Sequence, residues 1–235
     1  MDEKLLVILP AHNEQGKIGA LVSKFTLKPR GGVVDEVLVV TDGNTDGTGQ
    51  EAKNAGATVI EFRERKGVGF AIRTGIDYAM QNGFEMCCIM GGDNQDEPSE
   101  IPRLLAKLRE GNDLVIGSRY IAGGKTVDQP LFRLLSTKAY SIFFSIMALR
   151  WLTDASNGFR LFRTDICRKM NLWNPALDGY ELEPYFLYQC VTRFKCAEAP
   201  VTKVYHTKMS FSKMKPFVDW WKIIKPVLKA RLGMY

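Results

Sequence analysis

Apolar and polar positions fall into a repeating pattern over the first half of the chain. Leu5-Leu-Val-Ile-Leu9 is a continuous apolar run closed by Pro10, and Glu36-Val-Leu-Val-Val40 is another, closed by the turn-rich Thr41-Asp-Gly-Asn-Thr-Asp-Gly47. Runs of this kind predict strands buried on both faces. Between them, residues 14–27 place Ile18, Leu21, Val22 and Phe25 at helical spacing. The alternation then continues: a helix over 46–55, a strand over Thr58–Phe62, a helix over 67–82, a strand over Glu85–Met90, a helix over 98–109 and a strand over Asp113–Gly117. This predicts an α/β fold with a mostly parallel central sheet flanked by helices. In such sheets ligands bind beyond the carboxyl ends of the strands. Those ends carry Pro10-Ala-His-Asn-Glu14, Thr41-Asp-Gly-Asn44, Gly91-Gly-Asp-Asn-Gln95 and Ser118-Arg119.

After residue 120 the texture changes. Polar Gly/Lys/Asp/Pro loops lead into a helical stretch from Leu131 to Leu152, a strand-like Gly158–Phe162 and the segment Gly179-Tyr-Glu-Leu-Glu-Pro184, all expected to extend the same sheet. Ala139–Leu149 is free of charge but too short to span a bilayer. The tail from Phe217 to Leu232 mixes aromatic and aliphatic residues with spaced cations. It predicts a basic amphipathic helix, either lying in a membrane interface through Trp220, Trp221, Ile223, Ile224, Val227 and Leu228, or packed on the body with a basic outer face; Pro226 would kink either version.

Composition sharpens the picture. With 235 residues, 46% hydrophobic and 25% charged, the chain supports one sizeable core. Its net charge of +6 is concentrated: residues 203–235 hold eight Lys/Arg against Asp219 alone, leaving residues 1–202 near neutrality. Such a tail suits an anionic partner, and a membrane surface fits better than nucleic acid, because the acidic strand ends are wrong for tracking phosphates. Five cysteines, with no CxxC pair, read as free thiols in a reducing cytosol, and nothing at the N-terminus reads as an export signal.

Five segments in order carry a resemblance: Pro10–Glu14, Val39-Val-Thr-Asp-Gly-Asn-Thr-Asp-Gly-Thr48, Lys66-Gly-Val-Gly-Phe-Ala-Ile-Arg-Thr-Gly75, Gly92-Asp-Asn-Gln95 and Val115-Ile-Gly-Ser-Arg-Tyr120. Together they resemble the motifs of GT-A fold, family 2 inverting glycosyltransferases, and are most similar to dolichyl-phosphate mannose synthases and their polyprenyl-phosphate relatives. The resemblance implies a GT-A domain over 1–215, with a donor and metal half (1–120) and an acceptor half (121–215), followed by a C-terminal helix over 216–235. It implies Mg²⁺ or Mn²⁺ at Asp93 and Gln95, hard oxygen ligands that suit a nucleoside-diphosphate leaving group. One departure stands out: where the family has Asp-x-Asp, this chain has Gly91-Gly92-Asp93.

The same resemblance assigns donor nucleotide binding to Pro10, His12, Glu14, Asp42, Lys66, Gly67, Arg73 and Gly92. Asp42 and Asp46 also suit plain turn chemistry, which for Asp46 is the better account. Lys66-Gly-Val-Gly69 lacks the third glycine and downstream acid of a dinucleotide fingerprint, so hydride transfer is rejected. Arg119, with Arg133 and Thr137 four apart on one helix face, would hold the acceptor phosphate, although Arg133 also suits a solvated helix surface. His206, Ser212 and Lys213 match a closing loop. The implied activity is inverting transfer of a mannose- or glucose-type hexose from a GDP-mannose- or UDP-glucose-type donor to a polyprenyl phosphate. The expected setting is peripheral, on the cytoplasmic face of the membrane, with Asp93, Arg119 and Arg133 as the catalytic set. Transfer to a saccharide hydroxyl is the alternative and would need Glu181, Glu183 or Asp96 as base; a catalytically silent nucleotide- or membrane-binding subunit is the other, motivated by Gly91.

Overall fold

The structure is a computed structural model that describes residues 3–205 and 218–235. The strands are β1 (Leu5–Ala11), β2 (Glu36–Asp42), β3 (Thr58–Phe62), β4 (Met86–Ile89), β5 (Leu114–Ser118), β6 (Lys125–Val127), β7 (Arg160–Arg163), β8 (Cys196–Pro200) and β9 (Thr202–Val204). The helices are α1 (Ile18–Val22), α2 (Thr48–Asn54), α3 (Val68–Gln81), α4 (Ile101–Arg109), α5 (Leu131–Ala148), α6 (Leu182–Arg193) and α7 (Val218–Arg231). Seven strands form one sheet in the order β3-β2-β1-β4-β7-β5-β8, and β6 and β9 pair separately in parallel. Only β7 is reversed, antiparallel to both β4 and β5.

Alternation along each buried strand builds two cores. Leu6, Ile8, Leu38 and Val40 face α3, α5, α6 and α7, while Leu5, Val7, Leu9, Val37 and Val39 face α1, α2 and α4. Both faces are covered, which is why these strands read as unbroken apolar runs. Gly75 lets α3 lie against β1, because a Cβ there would press on the Ile8 side chain. All five cysteines are buried and free, and burial pushes their thiols up. They serve as packing groups.

The structure departs from the sequence pattern in three places. The helix expected over 14–27 shrinks to α1, because Asn13 and Gly16 take left-handed backbone conformations and the loop before α1 is tied to the loop after β2. Glu51 accepts the amides of Gly16 and Gly19 at 2.6 and 2.8 Å, and Thr45 donates its amide to Asn13. Asp46 accepts from both the amide and the hydroxyl of Thr48, which is turn chemistry. The helix expected to reach Leu152 stops at Ala148, where Leu149 turns left-handed and the Ser145 hydroxyl accepts the amide of Leu152 at 3.0 Å. The strand expected over 158–162 becomes β7, two residues later at its start and reversed in direction.

The tail takes the second of its two expected forms. α7 packs against the body: Pro226 and Val227 are buried, Val227 belongs to the core under α6, and Arg231 donates to the Met147 carbonyl of α5. Of the residues expected in a membrane interface, Val227 is therefore part of the core, Ile223, Ile224 and Leu228 are half-buried, and Trp221 alone is exposed among those whose side chains are described. Val227→Ala is expected to lower stability by about 1–3 kcal/mol, the loss of two fully buried methyl groups. Urea unfolding reads this directly, and an unchanged midpoint would mean that α7 leaves the body in solution.

Candidate active site

A cleft of about 590 Å³ opens at the carboxyl ends of β1, β2 and β4. Of the expected donor residues, Pro10, His12, Glu14, Asp42, Gly67 and Gly92 line it, together with Asp93. Asp42 closes β2, and its carboxylate accepts the amides of Lys66 at 2.6 Å and Gly67 at 2.8 Å, so it clamps the glycine loop to the sheet. His12 Nδ1 lies 2.6 Å from the Asp42 carbonyl oxygen; a carbonyl only accepts, so Nδ1 carries the proton. Glu14 is buried, with its amide donated to the Thr48 hydroxyl and its carboxylate 3.0 Å from Lys17 Nζ. Gly67 has φ +116°, and a Cβ there would collide with the Asp178 carbonyl; one at Gly69 would meet that of Leu177. The glycines are required by the 177–179 turn as well as by any ligand.

Two expected donor residues are placed elsewhere. The Lys66 ammonium sits over the rings of Phe62 and Phe70, 5.3 and 4.7 Å from their centroids, and is not part of the cleft lining. Arg73 is buried in α3, where it donates to the carbonyls of Leu172 and Asn174 and pairs with Asp178. It braces the 172–178 segment and does not reach the cleft, because its position on α3 points it toward the core face under that segment.

The expected metal ligands divide. Asp93 faces the cleft; Gln95 is absent from its lining, and its carbonyl accepts the Val204 amide, which ties the loop to β9. Burial pushes the Asp93 carboxyl up, with Asp96 adding to the rise and Lys203 opposing it. Asp96, also in the lining, is almost fully buried, and its two oxygens lie 2.8 and 3.0 Å from Lys203 Nζ. Among the described residues no group of three His, Cys, Asp or Glu side chains is arranged to hold a metal ion. Of the carboxylates in this part of the cleft, Glu14 pairs with Lys17 and Asp96 with Lys203, so Asp93 is the one that would face a divalent cation. Lys203 escaped the sequence reading because its partner lies more than a hundred residues away.

The acceptor residues are gathered by two tyrosines. Arg119, at the end of β5, is buried; its Nε and Nη2 donate to the two oxygens of Asp154, each at 2.7 Å, Nη2 also donates to Ser156, and Nη1 donates to the Tyr205 hydroxyl. Four of its five N–H groups are thus engaged within the protein. Burial alone would lower the Arg119 pKa, but Asp154 more than offsets this and raises it. Arg133 lies over the Tyr205 ring at 5.3 Å, Thr137 Oγ1 is 2.7 Å from the Tyr120 hydroxyl, and Lys138 covers the Tyr120 ring at 4.3 Å. Arg119, Arg133 and Thr137 therefore meet in one cluster, while His206, Ser212 and Lys213 lie outside the described residues. Glu181 and Glu183 line the cleft opposite. Asp154 went unremarked in the sequence because Thr153–Gly158 has the composition of an ordinary loop.

Comparison with known proteins agrees with this geometry. The family model for glycosyl transferase family 2 matches residues 6–170. An undecaprenyl-phosphate mannosyltransferase of Micrococcus luteus is 31% identical, over 98% of this chain and 100% of its own length. A polyprenol monophosphomannose synthase of Mycolicibacterium smegmatis is 28% identical, over 85% of this chain and 77% of its own. Among solved structures, glucosyl-3-phosphoglycerate synthase of Mycobacterium tuberculosis, in complex with Mn²⁺, UDP and phosphoglyceric acid, superposes with a TM-score of 0.71 at 18% identity, covering 99% of this chain and 80% of that one. The same enzyme has been solved with Mg²⁺ and UDP. The chain belongs to glycosyl transferase family 2 and is a glycosyltransferase.

Proposed function

We propose that this enzyme transfers a hexose, with inversion, from a nucleotide-diphosphate sugar to a polyprenyl phosphate at a membrane surface. The observation that carries the reading is the convergence, on one sheet edge, of the Asp42–Gly67 cleft and the Arg119–Arg133–Thr137 cluster. The names of the mannosyltransferase relatives support a lipid-phosphate acceptor and a mannose-type donor. An oxygen of the acceptor phosphate attacks the anomeric carbon, the bond to the donor diphosphate breaks on the opposite face, and the nucleoside diphosphate leaves. The attacking oxygen is already ionised, so no carboxylate base is needed. Of the arginines, Arg133 has its guanidinium available to the phosphate, and Arg119 holds Tyr205, and through it Arg133, in position. Mg²⁺ or Mn²⁺ accompanies UDP in the solved neighbour; here Asp93, with Gln95 two residues on, would hold such an ion, which would offset charge on the departing diphosphate.

No described helix is long and apolar enough to cross a membrane. We assign the bilayer contact to α5. Its outer face exposes Leu131 (69%), Leu135 (61%), Ile142 (49%) and Ile146 (59%), and Leu149 and Trp151 continue the exposed apolar surface beyond its end. Residues 129–153 contain no acid, and Arg133 and Lys138 lie on α5 itself, which suits anionic lipid at about 1 kcal/mol per cation. On this reading the acceptor cluster, itself built partly on α5, lies beside the membrane, on the face where nucleotide sugars are available.

Four outcomes are expected. With GDP-mannose or UDP-glucose, sugar should appear on a polyprenyl phosphate and not on free saccharides; the opposite product pattern would move the role of base to Glu181 or Glu183 and overturn the reading. Arg133→Ala should lower kcat/KM for lipid phosphate by about 2–4 kcal/mol of transition-state stabilisation with stability near wild type. Asp154→Ala should instead destabilise the fold by about 3–5 kcal/mol, since it strands a buried guanidinium. Calorimetric unfolding beside kinetics separates the two effects. Replacing Leu135, Ile142 and Ile146 with Glu should abolish flotation with anionic liposomes, and undiminished flotation would place the contact elsewhere.

A further inference from the structure

A phosphate monoester carries close to two negative charges at neutral pH, because its second pKa is about 6. Two cations match it, and the arginines of the acceptor cluster do not both count. Arg119 is neutralised inside the protein: the two oxygens of the fully buried Asp154 accept from its Nε and Nη2, each at 2.7 Å. Arg133, over the Tyr205 ring at 5.3 Å, forms no ion pair among the described residues and meets a phosphate with its full charge. The donor cleft has no surplus to lend, since its lining holds more carboxylates than cations. One positive charge is still missing.

Lys138 stands where that charge is needed. It follows Thr137 on α5 and is exposed; its ammonium lies 4.3 Å from the centroid of the Tyr120 ring and forms no ion pair among the described residues. Tyr120 is itself fixed: its hydroxyl lies 2.7 Å from Thr137 Oγ1 and accepts from Gln129 Nε2 at 2.9 Å, and the Arg119 guanidinium lies 5.1 Å from its ring. One aromatic side chain thus gathers Arg119, Thr137 and Lys138, as Tyr205 gathers Arg119 and Arg133. An ammonium has three N–H donors, and a ring face satisfies its charge only in part, so Lys138 keeps donors for a phosphate oxygen. Residues 129–153 contain no acid to compete for them.

We propose that the Lys138 ammonium, held over the Tyr120 ring, takes an oxygen of the acceptor phosphate beside Arg133 and Thr137 and supplies the second positive charge that a dianionic monoester requires. The inference rests on the lipid-phosphate acceptor assigned under the proposed function. The phosphate it takes belongs to the acceptor; the headgroup of a surrounding anionic lipid presents the same chemistry, and the two sources are separated by removing the bilayer.

Kinetics of the full chain with GDP-mannose and with UDP-glucose test this, using a short, water-soluble isoprenyl phosphate without a bilayer and, beside it, a long-chain polyprenyl phosphate in anionic vesicles. Lys138→Met should lower kcat/KM for the soluble acceptor by about tenfold or more, the loss of one hydrogen bond to a charged group. Lys138→Arg, which keeps the charge, should retain most of the activity, and the affinity for GDP and UDP should be the same in all variants. Circular dichroism and the melting temperature establish that the variants fold; if the Met variant does not, Lys138→Gln reads the same quantity. A folded uncharged variant with wild-type kcat/KM on the soluble acceptor overturns the inference. So does a defect confined to the vesicles and imitated by high salt, which would make Lys138 a general headgroup contact. Both outcomes leave the proposed function standing. Failure of the wild type to transfer sugar to either phosphate removes the lipid-phosphate acceptor and the proposed function with it.

Discussion

A guanidinium buried at the end of an interior strand must find its partners inside the protein, and the acceptor side of this enzyme is organised around that requirement. Arg119 draws Asp154 and Ser156 to the end of β5 and holds the Tyr205 hydroxyl just beyond β9. Asp154 is fixed in turn, because Glu198 of β8 accepts the amides of Thr153 and Asp154 and the Thr153 hydroxyl. An unpaired charge at this depth would cost several kcal/mol, so the pairing is obligatory. Three segments far apart in sequence are thereby brought to one point, and the Tyr205 ring they position is the surface on which Arg133 rests.

The donor side is built on the same economy of polar atoms. Asp42 is simultaneously the last residue of a buried strand and the acceptor for two amides of the glycine loop, so the loop cannot move without exposing a buried carboxylate. The loop is also roofed by the 177–179 turn, whose Asp178 carbonyl accepts the Phe70 amide at the start of α3. Cleft shape is therefore determined by contacts between residues 42–70 and 172–180, and a change in either segment alters the other.

Much of this was legible in the sequence. Apolar runs bounded by turns gave the parallel strands, since strands covered on both faces have no polar alternation to disguise them. The direction of β7 was not legible, because Arg160–Arg163 reads the same whichever way it runs. Nor was the fate of the tail: Val227 and Trp221 are both apolar on a basic helix, and only packing on α6 distinguishes the buried one from the exposed one. The exposed face of α5 was hidden for the converse reason, as helical periodicity shows that apolar residues share a face without showing what covers it. Among site residues, those next to strand ends, such as His12, Glu14, Asp42 and Asp93, were found where the topology put them. Arg73 and Lys66 sit in the same motif but have side chains satisfied by carbonyls and rings, and Lys203 and Asp154 depend on partners that only the tertiary fold supplies.

The reversed strand has a consequence for how the chain can be made. β4 and β5 are not neighbours; β7 lies between them and is synthesised only when residues 160–163 leave the ribosome. A nascent chain that has reached residue 120 can assemble β3-β2-β1-β4, but β4 then presents an open apolar edge and β5 has no partner on either side. Such edges template intermolecular pairing until they are filled. Vectorial synthesis thus passes through a stretch of some forty residues in which the growing protein depends on chaperones or on speed to keep its own edge unoccupied, and the first 120 residues, although they carry most of the donor cleft, do not make a separable unit.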